Sequence, residues 1–216
     1  MQASVVIGKA ERILADEGND HTSAAAMLGW FNSAQRLVVM MRPDAKTLRY
    51  VILLQEGPHQ TIPAGGLRLI KLVRNQDGRA ISLISEEQLS DWDPSWMAAA
   101  PKAPVRHYTF DPLEPKAFDV YPPAVDGHPV IGVWSVLPAE VTAESQDIGL
   151  DDIFEAPLIH LTCYFAYLQD ADDTANLALA EKHLNFAALA LTGKTAADQT
   201  LNPAASQPAK VRPNVR

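Results

Sequence analysis

The six histidines, His21, His59, His107, His128, His160 and His183, are the residues with most scope for metal or proton chemistry, and they are scattered singly with no pair at i, i+4. A metal site would have to be assembled from them in space, and none is expected. The single cysteine, Cys163, stands among apolar residues of a predicted helix and reads as a core thiol, not a nucleophile. It also excludes a disulfide framework and a cysteine-based zinc site. Asp172 and Asp173 could form a carboxylate pair, but their place before a helical pattern makes them capping residues. Gly65-Gly66 followed by LRLIKLVRN has neither the lysine-serine pair of a phosphate loop nor a dinucleotide fingerprint. The neighbourhood of Trp92, Trp96, His107 and Tyr108 is the candidate for a small-molecule pocket, although the two tryptophans, four apart, read first as paired packing groups. No catalytic, cofactor-binding or metal-ligating residue is assigned, and an enzyme is not expected.

The elements around these residues change period twice. Val6, Ala10, Ile13 and Leu14 form a helical stripe within 4–16, ended by Gly18, Asn19 and Asp20. In 22–44, Met27, Trp30, Phe31, Ala34, Leu37, Val38 and Met41 make a second, longer stripe, opposite Asn32, Ser33, Gln35 and Arg36. Thr22 or Ser23 caps its start and Pro43 closes it. These two helices are expected to pack as an antiparallel pair. Strands follow at 47–54 and 59–62, joined by a turn at Glu56-Gly57-Pro58. The segment 67–75 reads as a strand, although its apolar residues fit neither period. Asp77-Gly78 marks a hairpin before 80–84, and Ser85 with Gln88 starts a short helix, 86–92. Three more strands are predicted at 105–110, 117–121 and 129–137, with Phe118, Val120, Val130, Val133 and Trp134 on one face. Helices return at 153–170, with Pro157 in the first turn, and at 175–191, with Leu177, Ala180, Leu184, Ala187, Ala188 and Leu191 inward.

The expected fold is therefore α+β: an antiparallel helical bundle of two N-terminal and two C-terminal helices, with an inserted, mainly antiparallel β-rich region and an extended C-terminal tail. Residues 1–44 and 151–204 supply the bundle, 45–150 the insertion and 205–216 the tail. That tail is rich in proline and basic at Lys210, Arg212 and Arg216, and it has no means of building a core.

The chain of 216 residues is 47% hydrophobic and 20% charged, enough to bury a real core. Charges come too early for a signal peptide, and the expected site of synthesis is a reducing cytoplasm. A net charge of −8 argues against a grip on nucleic acid. The distribution says more. Residues 36–79 hold eight basic groups against three acidic ones, whereas 111–155 hold ten acidic groups opposed only by Lys116. A molecule with a positive and a negative side suits association between copies.

Four blocks taken in order, LGWFNSAQRLVVMMRPDA, GPHQTIPAGGLRLIKLVRNQDGRAI, VRHYTFDPLEPKAFDVYPP and LIHLTCYFAYLQDADDTANLALAEKHLNFAALALTGK, resemble the head-to-tail adaptor (connector) proteins of tailed bacteriophages over about residues 5 to 194. Cys163 and Tyr164 stand where such proteins often have a Tyr and an Arg. The resemblance implies a structural virion protein at the head-tail junction, without cofactors, made in the host bacterial cytoplasm. It implies a homo-oligomeric ring, commonly twelvefold, beneath the phage portal protein, in contact with a tail or neck protein, its lumen passing DNA without specific binding. Arg36, Arg42, Arg49, Arg68 and Arg74 are then expected at the subunit interface. Lys210, Val211, Arg212 and Arg216 are expected to engage the portal or a neighbour. The edge of the second helix with Asn32, Gln35 and Arg36 is expected to be free for a neighbouring subunit. The alternatives are a soluble small-molecule-binding or enzymatic α+β domain, or another tail-completion or neck protein.

Overall fold

The computed structural model describes residues 1–16, 22–169 and 173–200, with side chains up to residue 193. Over the described residues it is an α+β structure of five helices and two sheets, dividing into two compact units, Met1–Val38 with Glu140–Arg216, and Val39–Ala139. The segment expected to end the first helix, 18–20, lies outside the described residues, as do His21, Asp172 and the tail.

In the helical unit, α1 (Ala3–Leu14) buries Ala3, Val6, Ile7 and Ala10, and stops early because Ala15 turns left-handed at φ 56°. Its N-terminal N–H groups find partners in a distant loop instead of a side-chain cap: Ala3 donates to Gln146 O at 3.0 Å and Ser4 to Glu144 O at 2.8 Å. The terminal amino group sits 3.0 Å from Asp152, whose hydrogen bond raises its pKa. Ser23 caps α2 (Ala24–Met41), its hydroxyl accepting from Ala26 N at 3.2 Å. A single 3₁₀ turn, Asp152–Phe154, leads into α4 (Glu155–Leu168), where Pro157 occupies the first turn as the pattern requires. The other C-terminal helix, α5 (Thr174–Thr200), starts at Asp173, whose carboxylate accepts from Ala175 N at 2.8 Å. It buries Ala180, His183, Ala187 and Leu191, while Leu177 of the expected stripe is exposed. The extensive helical contacts are those of α4, with α5 and with α1.

The second unit is a sandwich. Its first sheet has the order β1-β7-β3, with β1 (Thr47–Leu53), β7 (Pro129–Val136) and β3 (Gly66–Asn75). The other has the order β2-β6-β5-β4, with β2 (Gly57–Thr61), β6 (Ala117–Ala124), β5 (His107–Thr109) and β4 (Ser82–Leu83). One core joins them: Ile52, Leu69, Leu72, Val130 and Trp134 of the first sheet meet Tyr108, Phe118, Val120 and Ala124 of the second. β1 and β2 do not form the hairpin that the intervening turn suggests. β1 pairs with β7, and the chain crosses to the other sheet at Gly57, φ 109°. Buried Gln60 holds that corner, taking Gln55 N on its Oε1 and giving its Nε2 to Gln55 O and Gly57 O, all within 2.8–2.9 Å. Val133 is not on the core face either. Strict alternation along β7 sends Val130, Gly132 and Trp134 inward and Val133 outward.

β3 explains its own ambiguous pattern. It pairs with β7 through three register shifts, so Gly66–Asn75 is matched against only Val136–Val130. Leu69, Leu72 and Asn75 face inward at intervals of three, with Leu67, Ile70 and Val73 the extra residues. Plain alternation from Leu69 would have driven Lys71 into the core, a cost far above that of a bulge.

On the outer side of the second sheet, Ser85 caps α3 (Glu86–Trp92), its hydroxyl accepting from Gln88 N at 3.2 Å, and Leu89, Ile84 and Trp96 pack with Tyr121. The two tryptophans part company here. Trp96 is 2% exposed and donates its indole N–H to Ser90 Oγ at 3.3 Å, whereas Trp92 is 67% exposed and touches His107 edge-on.

Candidate interaction surfaces

The register of the first sheet sorts its outward residues into rows. Thr47, Ser135 and Arg68 make one row; Arg49, Val133 and Lys71 the next; Val51, Ile131 and Arg74 the third. Three of the arginines singled out in the sequence, Arg49, Arg68 and Arg74, thus share one sheet face. The bulges of β3 add Lys71 to this face, a position that neither simple period gives it. None of the residues on this face is acidic. Arg49, Lys71 and Arg74 are exposed, Arg74 giving one N–H to Gly78 O at 2.8 Å, while half-buried Arg68 lies 5.5 Å from the centre of the Phe110 ring. Between the cations runs an apolar strip of half-buried Val51 and Ile131, with Val133 buried beside them and exposed Leu53 at its end.

Arg36 and Arg42 stand elsewhere and are engaged within the chain. Arg36 bonds Glu140, beside Asn32, whose amide both donates to Val141 O and accepts from Val141 N at 2.9 Å. Gln35, expected on the exposed side, is 2% exposed and donates to Asn32 Oδ1. The chain's own Glu140-Val141 thus occupies the edge expected to be free. Arg42 is buried and bonds both oxygens of Asp44, at 2.8 and 2.5 Å. Lys210, Val211, Arg212 and Arg216 lie outside the described residues.

The outer side of the second sheet carries a cluster of the opposite sign. Glu86, Glu87, Asp111 and Asp119 line a cleft of about 510 Å³ with Ile84, Phe110 and Pro112. Asp119 is held by a hydrogen bond to His59 and lies within reach of the Thr109 hydroxyl, at 3.5 Å. Beside the cleft the loop 111–114 turns on Asp111, whose carboxylate accepts from Leu113 N at 2.8 Å, leaving Leu113 87% exposed between Asp111 and Glu114. Sequence reading found the acidity of 111–155 but not the contribution of Glu86 and Glu87, because the parallel pairing of β4 with β5 that brings α3 here has no local signature.

Over residues 1–212 the chain matches the SU10 adaptor protein family. It belongs to that family of phage head-to-tail adaptors. No curated protein matches the chain.

In this member of the SU10 adaptor family His160, His183 and Cys163 are packed between helices. His160 and His183 meet Nδ1 to Nδ1 at 3.0 Å between α4 and α5, with Phe186 and Tyr167 against their rings. Burial lowers the pKa of both, and for His183 the charges of His160 and Lys182 add to it. Among the described residues no group of three potential ligands could hold a metal ion. The Cys163 thiol is buried at 3.9 Å from Ala10 O, and burial pushes its pKa up to about 12. Trp92, Trp96, His107 and Tyr108 do not converge on a pocket: Tyr108 faces the sandwich core and His107 the outer side, where burial first, then Arg79 and Arg106, lower its pKa. Among the described residues no helix is long and apolar enough to cross a membrane.

Proposed function

We propose that the chain is a structural part of a phage virion, a head-to-tail adaptor whose copies form a ring, commonly twelvefold in such proteins, beneath the portal. The ring continues the DNA channel and offers the attachment surface for a tail or neck protein. The observation that carries this reading is the family match over nearly the whole chain. The segregation of charge supports it, because a lumen with an excess of acid repels phosphate and lets duplex slide, whereas a basic wall holds it. In the ring the four long helices form the antiparallel bundle and Arg49, Arg68 and Arg74 face the adjacent subunit. Arg36 and Arg42, bonded within the chain to Glu140 and Asp44, also lie at the interface with the adjacent subunit, and the basic residues Lys210, Arg212 and Arg216 with Val211 engage the portal or a neighbour. Its place is the head-tail junction, and its role is assembly without catalysis. Sedimentation of the full chain, alone and with its portal, tests the reading. A defined ring on the portal is expected, and a chain that stays monomeric and indifferent to the portal overturns it.

A further inference from the structure

The basic and acidic surfaces belong to different sheets of a single sandwich, within residues 39–139: the cations stand on the outer face of β1-β7-β3, while Glu86, Glu87 and Asp119 line the cleft on the outer side of β2-β6-β5-β4, from which the loop 111–116 runs to the β3 edge, where Leu69 N donates to Pro115 O at 2.8 Å. Such a unit is not complementary to itself across a twofold axis. That arrangement would set Arg49, Lys71 and Arg74 against their own copies. It is complementary to itself when one copy follows the next in the same sense, the heterologous contact that closes into rings. The apolar groups agree with the charges. In the basic patch half-buried Val51 and Ile131 run between Arg49 and the Lys71–Arg74 edge, and in the acidic patch Leu113 stands exposed between Asp111 and Glu114. A cation–apolar–cation strip thus meets an anion–apolar–anion knob.

We propose that the outer face of the β1-β7-β3 sheet docks on the acidic outer side of a second copy of this chain, with Leu113 of that copy on Val51 and Ile131, and with Glu86, Glu87 and Asp111 facing Arg49, Lys71 and Arg74. This contact rests on the reading that the chain assembles with its own copies, and it names the counter-surface that the arginines meet.

The test uses the full chain and two triple reversals, Arg49→Glu/Lys71→Glu/Arg74→Glu and Glu86→Lys/Glu87→Lys/Asp111→Lys, all at exposed positions. Self-association is followed by sedimentation, and folding by circular dichroism. Each variant alone presents the same sign on both sides and is expected to lose association by about tenfold or more. The equimolar mixture is expected to regain it, because alternating the two variants restores every contact. Leu113→Asp provides a charge-independent arm, with weakened association expected. Association of either triple variant at wild-type strength, or loss in both without recovery on mixing, overturns the contact while leaving the ring reading standing. A wild-type chain that does not associate with itself, alone or on its portal, overturns both.

Discussion

His160 and His183 face one another Nδ1 to Nδ1 at 3.0 Å, one ring donating and the other accepting, in the seam between α4 and α5. Both are held below the ordinary value of 6.5 by burial, and the neutral pair cannot take up a proton at each ring without bringing two charges together beside Lys182. As pH falls the unfolded chain binds protons first, so stability is fully present above about 6.5 and declines below it. The melting temperature is expected to drop between pH 7.5 and 5.5, and His183→Gln to flatten that slope. Equal slopes in wild type and variant would remove the pair as the cause.

Cys163 offers a chemical reporter of the same unit. With its pKa near 12 and no exposure, the thiol is expected to resist alkylation at pH 8 in the folded chain and to react at once in denaturant. Mass spectrometry of timed samples reads this directly, and rapid modification of the native chain would contradict the burial of the α1–α4 contact.

Asn75, the last inward residue of β3, ties three segments together. It donates to Arg79 O and Val105 O at 2.8 Å, accepts from Val105 N at 3.0 Å, and meets His128 Nε2 at 2.7 Å. Asn75→Ala leaves several of these groups buried and unpaired, an expected loss on the order of 2–4 kcal/mol. Urea unfolding followed by tryptophan fluorescence measures it; a change below 1 kcal/mol would show that water replaces the amide at little cost.

Gly132 faces the core between Ile52 and Leu72, and a Cβ there would come within 2.5 Å of Ile52 Cδ1. Gly132→Val is expected to cost about 1–3 kcal/mol through overpacking. Pairing it with Ile52→Val, which removes the crowding methyl, is expected to recover part of that loss.

Local chemistry was legible in the sequence and distant pairing was not. The start of α3 follows from Ser85 and Gln88, the end of α2 from Pro43, and the first turn of α4 from Pro157, because each depends on residues a few positions apart. That β1 finds β7 some eighty residues later, or that α3 is carried to β5, depends on which buried faces match, and nothing local marks it. The site shows the same division. Arg49, Arg68 and Arg74 could be singled out as basic residues, but their common face, the addition of Lys71, and the separate engagement of Arg36 and Arg42 come from register and packing. Trp92 and Trp96 show how equal spacing can mislead: a helix ending at Trp92 leaves one ring in solvent and puts the other in the core.

The bulges of β3 also give that strand slack. Leu67, Ile70 and Val73 are supernumerary, so removing any one of them closes a bulge and leaves Leu69, Leu72 and Asn75 inward and Arg68, Lys71 and Arg74 outward. In most strands a one-residue deletion turns every later side chain over. Here the chain can shorten by single residues without exchanging its two faces, and relatives of different length can keep the same charged rows.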